Sequence, residues 1–128
     1  MKRTQGQCIA WLAWALAISL WGCAEQIEQQ APLADGTYRF QHKYAEQPTM
    51  DSFALTAEIQ GRHARFIKNE PGDVFPQGLF AEGELFWHEE SGQWILATED
   101  ADRMATEVGG CSGGPDALDL KKKIYWTC

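Results

Sequence analysis

The side chains with chemistry to offer in this sequence are four cysteines, three histidines and a run of closely spaced carboxylates. Histidines that share a metal ion usually stand as HxH on a strand or HxxxH on a helix, and His42, His63 and His88 show neither spacing. His88-Glu89-Glu90 offers one imidazole and two carboxylates, but successive side chains on a strand point to opposite faces, so only His88 and Glu90 could act together. The triplet reads as a solvated hairpin tip, and no metal-ligand set is expected. His42 falls on an aromatic face and reads as a hydrogen-bonded wall residue. Glu82, Glu84, Glu89, Glu90, Glu99, Asp100 and Asp102 crowd one stretch of the chain. A catalytic carboxylate pair requires a cleft and displaced pKa values. An acidic surface requires neither and suits a basic partner. No catalytic constellation emerges, so the expected role is non-enzymatic.

A separate segment precedes all of this. Lys2 and Arg3 are followed by an uncharged apolar run from Cys8 to Trp21, 14 residues long. That length lies within the roughly 7–15 residues of a signal-peptide core and short of the about 20 that a membrane-spanning helix needs. Leu20-Trp21-Gly22-Cys23 comes next, with a leucine three residues before a cysteine and a small glycine just before it. This segment resembles a bacterial lipoprotein signal with its lipobox, and departs from it at Trp21, where a small residue is usual. The resemblance covers residues 1–23. It implies a diacylglycerol thioether on the Cys23 sulfur, cleavage between Gly22 and Cys23, and acylation of the freed Cys23 amine. Ala24 stands where an inner-membrane retention signal would place Asp, so the resemblance also implies anchoring at the periplasmic face of an outer membrane. Apart from that covalent lipid no cofactor is expected. On the residues alone, the alternative is an ordinary secretory signal cut after Ala24.

With Cys8 lost in the leader and Cys23 lipidated, Cys111 and Cys128 remain, and two cysteines in an oxidising compartment are expected to pair. The bridge would close a loop of about 18 residues, contribute about 3 kcal/mol and hold the last residue against fraying. Gly110-Cys111-Ser112-Gly113-Gly114-Pro115 resembles GDSGGP, the nucleophile loop of chymotrypsin-like serine proteases, which implies Ser112 as a nucleophile. Cys111 stands where that family has an aspartate, and 106 mature residues cannot supply the two barrels that carry its His and Asp. The six residues read better as a glycine-rich turn inside a disulfide-bonded loop.

The elements that must position these groups follow from charge and period. The whole chain carries −7; without residues 1–22 it holds 18 acidic and 9 basic side chains, a formal −9. That balance argues against a nucleic-acid partner, which needs a basic face. Three segments are expected: a signal peptide over 1–22, a lipidated cysteine and polar, glutamine-rich tether over 23–35, and a folded domain over 36–128. Tyr38, Phe40, His42 and Tyr44 alternate with polar residues, as do Phe53, Leu55, Ala57 and Ile59. Gly61-Arg62 fits a two-residue type II′ turn leading into a return strand with Ala64 and Phe66. Residues 70–78 (EPGDVFPQG) form a loop. A second hairpin sets Leu85 and Trp87 against Trp94 and Leu96 across a turn at Glu90, Ser91 and Gly92. Ala101, Met104, Ala105 and Val108 have helical spacing behind Asp100 as N-cap. Leu118, Leu120, Ile124, Trp126 and Cys128 alternate in a last strand, with Lys122 intruding on the apolar face as at a bulge or an edge.

The expected fold is therefore mainly β: about six antiparallel strands in a small meander, curled sheet or barrel, with one short helix before the last strand. Small lipocalin-like barrels and lipid-anchored β-barrel inhibitors of lysozyme are similar in architecture, although the inhibitors' short serine- and tyrosine-containing motif is absent from the sequence. Tyr38, Phe40, Tyr44, Phe53, Phe66, Trp87, Trp94 and Trp126 fall on inward faces and either fill the core or line a cup for a small apolar ligand. Phe86 and Ile95 face the other way, to be covered by the helix or left as a docking patch. The expected partners are a membrane, through the anchor, and either a basic protein such as lysozyme or a small apolar ligand. Glu82, Glu84, His88, Glu89, Glu90, Trp87 and Trp94 are the candidate binding residues.

Overall fold

A computed structural model describes residues 33–128; the signal segment, Gly22, Cys23 and the tether as far as residue 32 lie outside them. The strands are β1 (Gly36–Tyr44), β2 (Ala54–Gln60), β3 (His63–Lys68), β4 (Gly78–His88), β5 (Gln93–Ala97), β6 (Ala117–Asp119) and β7 (Ile124–Thr127). Each pairs antiparallel with the next, and β7 returns to β1 to close a barrel. The closing pair is parallel, Gln41 opposite Ile124 through Tyr44 opposite Thr127. It has to be: when strands alternate in direction, the first and the seventh run the same way. Closure removes the free edges through which sheets aggregate.

Period-two patterning builds the wall. Phe40 and His42 of β1, Leu55, Ala57 and Ile59 of β2, Ala64 and Phe66 of β3 and Leu85 of β4 all point inward and are buried. Gln60 pairs with His63, which leaves Gly61-Arg62 as a two-residue turn with Gly61 at φ 62°. Only the first central residue has positive φ, as a type II′ turn requires. Trp87 pairs with Trp94 and Leu85 with Leu96. The interior is filled: Phe40, Ala57, Ala64, Phe66 and Leu85 are 0% exposed. Phe40 meets Phe66 edge-on with ring centres 5.2 Å apart, and Phe66 meets Tyr125 at 4.9 Å.

Two expectations are corrected. The single last strand is two strands, β6 and β7, joined by a turn over residues 120–123. Asp119 Oδ1 accepts from the backbone N–H of Lys121 and Lys122, at 3.1 and 2.8 Å, and Lys123 completes the reversal at φ 59°. Three consecutive lysines resist burial, and the chain turns where they occur. The turn changes the phase, so Leu118 and Leu120 remain inside but Tyr125 replaces Trp126 as the inward residue and is 1% exposed. The amphipathic helix is instead one 3₁₀ turn, Asp100–Met104, with Glu99 rather than Asp100 as N-cap. Asp102 Oδ2 accepts from Thr98 N, Thr98 Oγ1 and Glu99 N, a local network that competes with helix propagation. Ala105 is already extended and Met104 is 83% exposed, so the apolar spacing never meets a surface to pack on.

The barrel has two unlike ends. One carries the short turns Gly61-Arg62, 89–92 and 120–123, together with the incoming chain, where Asp35 Oδ1 accepts from Gly61 N at 2.7 Å. The other carries the long connections 45–53 and 69–77 and the start of the crossover 98–116. That crossover then descends the outer face of β4 and β5. Its turn lays Arg103 over the Phe86 ring at 5.9 Å, and Ile95 beneath is 0% exposed. The outward apolar pair is thus covered rather than offered.

Candidate binding end of the barrel

The residues singled out in the sequence do not converge. Glu82 and Glu84 lie on the outer wall, and each already has an arginine partner. Glu82 Oε2 is 2.6 Å from His63 Nε2 and 3.7 Å from Arg65 Nε, while Glu84 pairs with Arg103. The Glu84 carboxylate, and Asp100 after it, raise the already high pKa of the Arg103 guanidinium. Such solvent-exposed pairs add little stability, but they cancel local charge. Glu89 and Glu90 are exposed at the short-turn end. His88 is buried at 4% exposure: Ser91 Oγ lies 2.7 Å from Nδ1, and Nε2 donates to the Ala105 carbonyl at 2.7 Å. It clips the second hairpin to the crossover and has no nitrogen left for a ligand. Trp94 belongs to the core, with Trp87 packed edge-on against it at 5.5 Å.

Charge gathers elsewhere. The three long connections hold nine acidic residues (46, 51, 70, 73, 99, 100, 102, 107 and 116) against one base, Arg103. The rest of residues 33–128 holds seven acids and eight bases, so it is nearly neutral. Glu46, Asp51, Glu70 and Asp73 are exposed and form no ion pair among the described residues. The same two loops carry Met50 and Val74, 48% and 75% exposed and each next to an aspartate in sequence. Sequence reading missed these four carboxylates because they are spread over two loops. Counting charge loop by loop would have found them, since neither 45–53 nor 69–77 contains a lysine or arginine.

The acidic loops rest on a rigid floor. His42 is 0% exposed and lies face to face on Phe53, with ring centres 4.3 Å apart and planes 5° apart. Tyr44, Phe75 and Phe80 surround it at 4.7, 5.7 and 5.8 Å. Its Nε2 is 2.8 Å from Thr127 Oγ1, and its Nδ1 is hydrogen-bonded to Ser52 Oγ. Burial lowers its pKa from 6.5 to about 4, so the ring is neutral at pH 7 and needs one donor and one acceptor, roles that two hydroxyls can fill. Ser52 beside His42 has the makings of a nucleophile and base, but the second ring nitrogen meets a hydroxyl, not the carboxylate that would stabilise an imidazolium. Lys68 is buried beside this floor, with Nζ donating to the Glu70 carbonyl and standing 4.9 Å above the Phe53 ring centre. Deeper in, burial and the adjacent Asp116 carboxylate push the Tyr125 hydroxyl far above the usual phenol range.

Cys111 and Cys128 are disulfide-bonded, with Cα atoms 4.6 Å apart. Ser112 Oγ donates to the Gly109 carbonyl at 2.8 Å and accepts from Gly114 N at 3.1 Å, so it organises the glycine-rich loop. Gly114 is obligatory there, because a Cβ would overlap the Glu107 carbonyl oxygen. Among the described residues no three His, Cys, Asp or Glu side chains are placed to hold a metal ion, and no helix is long and apolar enough to cross a membrane. No family model matches the sequence, and comparison with curated proteins and with solved structures gives no match.

Proposed function

We propose that this chain is a lipid-anchored envelope protein that uses its β-barrel to hold an acidic, methionine- and valine-tipped end away from the membrane and bind a cationic protein, in a binding rather than a catalytic role. The observation that carries this reading is the segregation of charge: Glu46, Asp51, Glu70 and Asp73 stand exposed in two end loops that hold no lysine or arginine, while residues 33–128 outside the long connections hold seven acids and eight bases. Orientation supports it. A chain anchored through Cys23 enters β1 at the short-turn end, so the long loops lie at the end of the barrel opposite the attachment point. A concentrated charge of one sign steers an oppositely charged partner into encounter, and exposed apolar tips add contact area once it arrives. Interior packing with core residues at 0% exposure favours this surface over an apolar ligand inside the barrel.

The test uses membranes from cells that express the full chain, with lysozyme as a cationic probe at low salt. The membranes should retain the probe and release it as salt rises. Cys23→Ser should move both the chain and the retained probe to the soluble fraction. The combined variant Glu46→Gln, Asp51→Asn, Glu70→Gln, Asp73→Asn should stay in the membrane and lose at least tenfold in probe affinity. A Cys23→Ser chain that remains membrane-bound defeats the anchor. Equal probe binding by the neutralised variant defeats the acidic end.

A further inference from the structure

We propose that the Cys111–Cys128 disulfide is a redox latch that sets the order of the long-loop end through Thr127 and His42. Cys128 directly follows β7, and Thr127 beside it supplies two contacts to that end. Its carbonyl accepts from Ala45 N at 2.7 Å, and its hydroxyl meets His42 Nε2 at 2.8 Å. β7 is only four residues long, and the disulfide just past it ties its end covalently to the crossover. The route onward is short. His42 stacks on Phe53 and touches Phe75, so one ring supports a residue of each of the two long loops, and Ser52 on its other nitrogen belongs to the first of them.

Both cysteines are exposed, which leaves the bond open to attack by a dithiol. One thiolate of the dithiol attacks a cysteine sulfur, the S–S bond breaks, and a mixed disulfide forms. The second thiolate then closes the reductant's own disulfide. Two electrons and two protons end on Cys111 and Cys128 as thiols. With that tie broken the end of the short strand β7 is released, Thr127 withdraws, and His42 Nε2 is left in an apolar surround without its partner. A buried polar group left unpaired is expensive, so the ring and the loops it supports loosen together. The second hairpin does not share this path, because its own histidine is clipped to Ala105 and not to β7. The latch rests on these contacts alone and stands or falls independently of the cationic partner.

Residue-resolved hydrogen exchange on the full chain in detergent tests it, through amides whose hydrogen bonds lie in or bound the first loop. These are His42 N to Phe53 O at 2.9 Å, Gln47 N to Tyr44 O at 3.1 Å and Met50 N to Gln47 O at 3.0 Å. Reduction with a dithiol should speed their exchange at least tenfold while the β2–β3 ladder is unchanged. Thr127→Val should do the same with the disulfide intact, reduction of that variant should add little, and Thr127→Ser should behave as the parent chain. Acceleration confined to residues 111–128 would reduce the disulfide to a local staple and overturn the proposal. So would a Thr127→Val chain with fully protected loops, or a reduced chain in which β2–β3 accelerates equally.

Discussion

The two ends of the barrel solve the same problem, reversing a chain, by opposite means. At the short-turn end the reversals are written in backbone conformation. Gly61 stands at φ 62°, Gly92 at 69° and Lys123 at 59°, and the connections are two or four residues long. At the other end the connections are too long for backbone geometry to fix, and side chains do it instead: the His42 stack, the Lys68 ammonium on a carbonyl, and a disulfide. Closing a longer loop costs only slowly more entropy, so length itself is tolerated. What length requires is tertiary anchors, and anchors are where titration, reduction or substitution can act. One end turns on backbone φ with local polar caps from Asp35, His88 and Asp119; the other is held by contacts from distant parts of the chain.

The largest expected effect separates the two buried histidines, one at each end. His42→Ala removes a ring packed among four aromatics and strands two hydroxyls, and should cost about 3–4 kcal/mol. His88→Ala removes one clip between the hairpin and the crossover and should cost about 2 kcal/mol. Urea unfolding followed by tryptophan fluorescence gives both values. If His88→Ala proves the more damaging, the short-turn end depends on side chains as much as the other, and the contrast fails.

Acid should act at the long-loop end next. The His42 pKa of about 4 in the fold lies below its ordinary 6.5, so between those values the unfolded chain binds a proton that the fold refuses. Stability from this group is complete above pH 6.5 and declines as pH falls toward 4, by on the order of 3 kcal/mol in total. Asp116 works against this at the lower edge: burial raises its pKa, so the fold takes up that proton more readily than the unfolded chain. Unfolding free energy measured from pH 7.5 to 4.5 should fall steeply in the parent chain and much less in His42→Phe. Parallel slopes would exonerate His42.

The same division explains what the sequence revealed. Both hairpin registers were legible, because a turn such as Gly61-Arg62 and an alternation such as Leu85 and Trp87 against Trp94 and Leu96 are local signals. Closure was less so. It depends on β7 pairing with β1 some 80 residues earlier in the chain, and on a phase change at Lys121–Lys123 that a continuous alternation hides. His42 was read correctly as a hydrogen-bonded wall residue, yet its partners are 10 and 85 residues away and no spacing rule names them. The acidic hairpin was a fair reading of composition that the wall's own partners undo: His63 and Arg65 reach Glu82 across strands, and Arg103 reaches Glu84 from the crossover.

The smallest expected effect examines the short-turn end on its own terms, by exchanging side chains at two positions with nearly the same φ. Gly61→Ala places a Cβ in a left-handed conformation with nothing within 4 Å to obstruct it, so its cost of about 1 kcal/mol is purely conformational. Lys123→Gly runs the exchange in reverse. It relieves a strain of about 1–2 kcal/mol, but glycine returns about 0.5–1 kcal/mol of that as unfolded-state freedom. It also removes an ammonium 5.8 Å from the Tyr38 ring centre, a cation–π contact worth about 0.5 kcal/mol where exposed. A net gain of a few tenths of a kcal/mol remains, opposite in sign to Gly61→Ala. Thermal unfolding of the two variants side by side reads that sign directly. If Lys123→Gly instead destabilises as Gly61→Ala does, the Lys123–Tyr38 contact outweighs backbone relief, and the short-turn end too is held by a side chain.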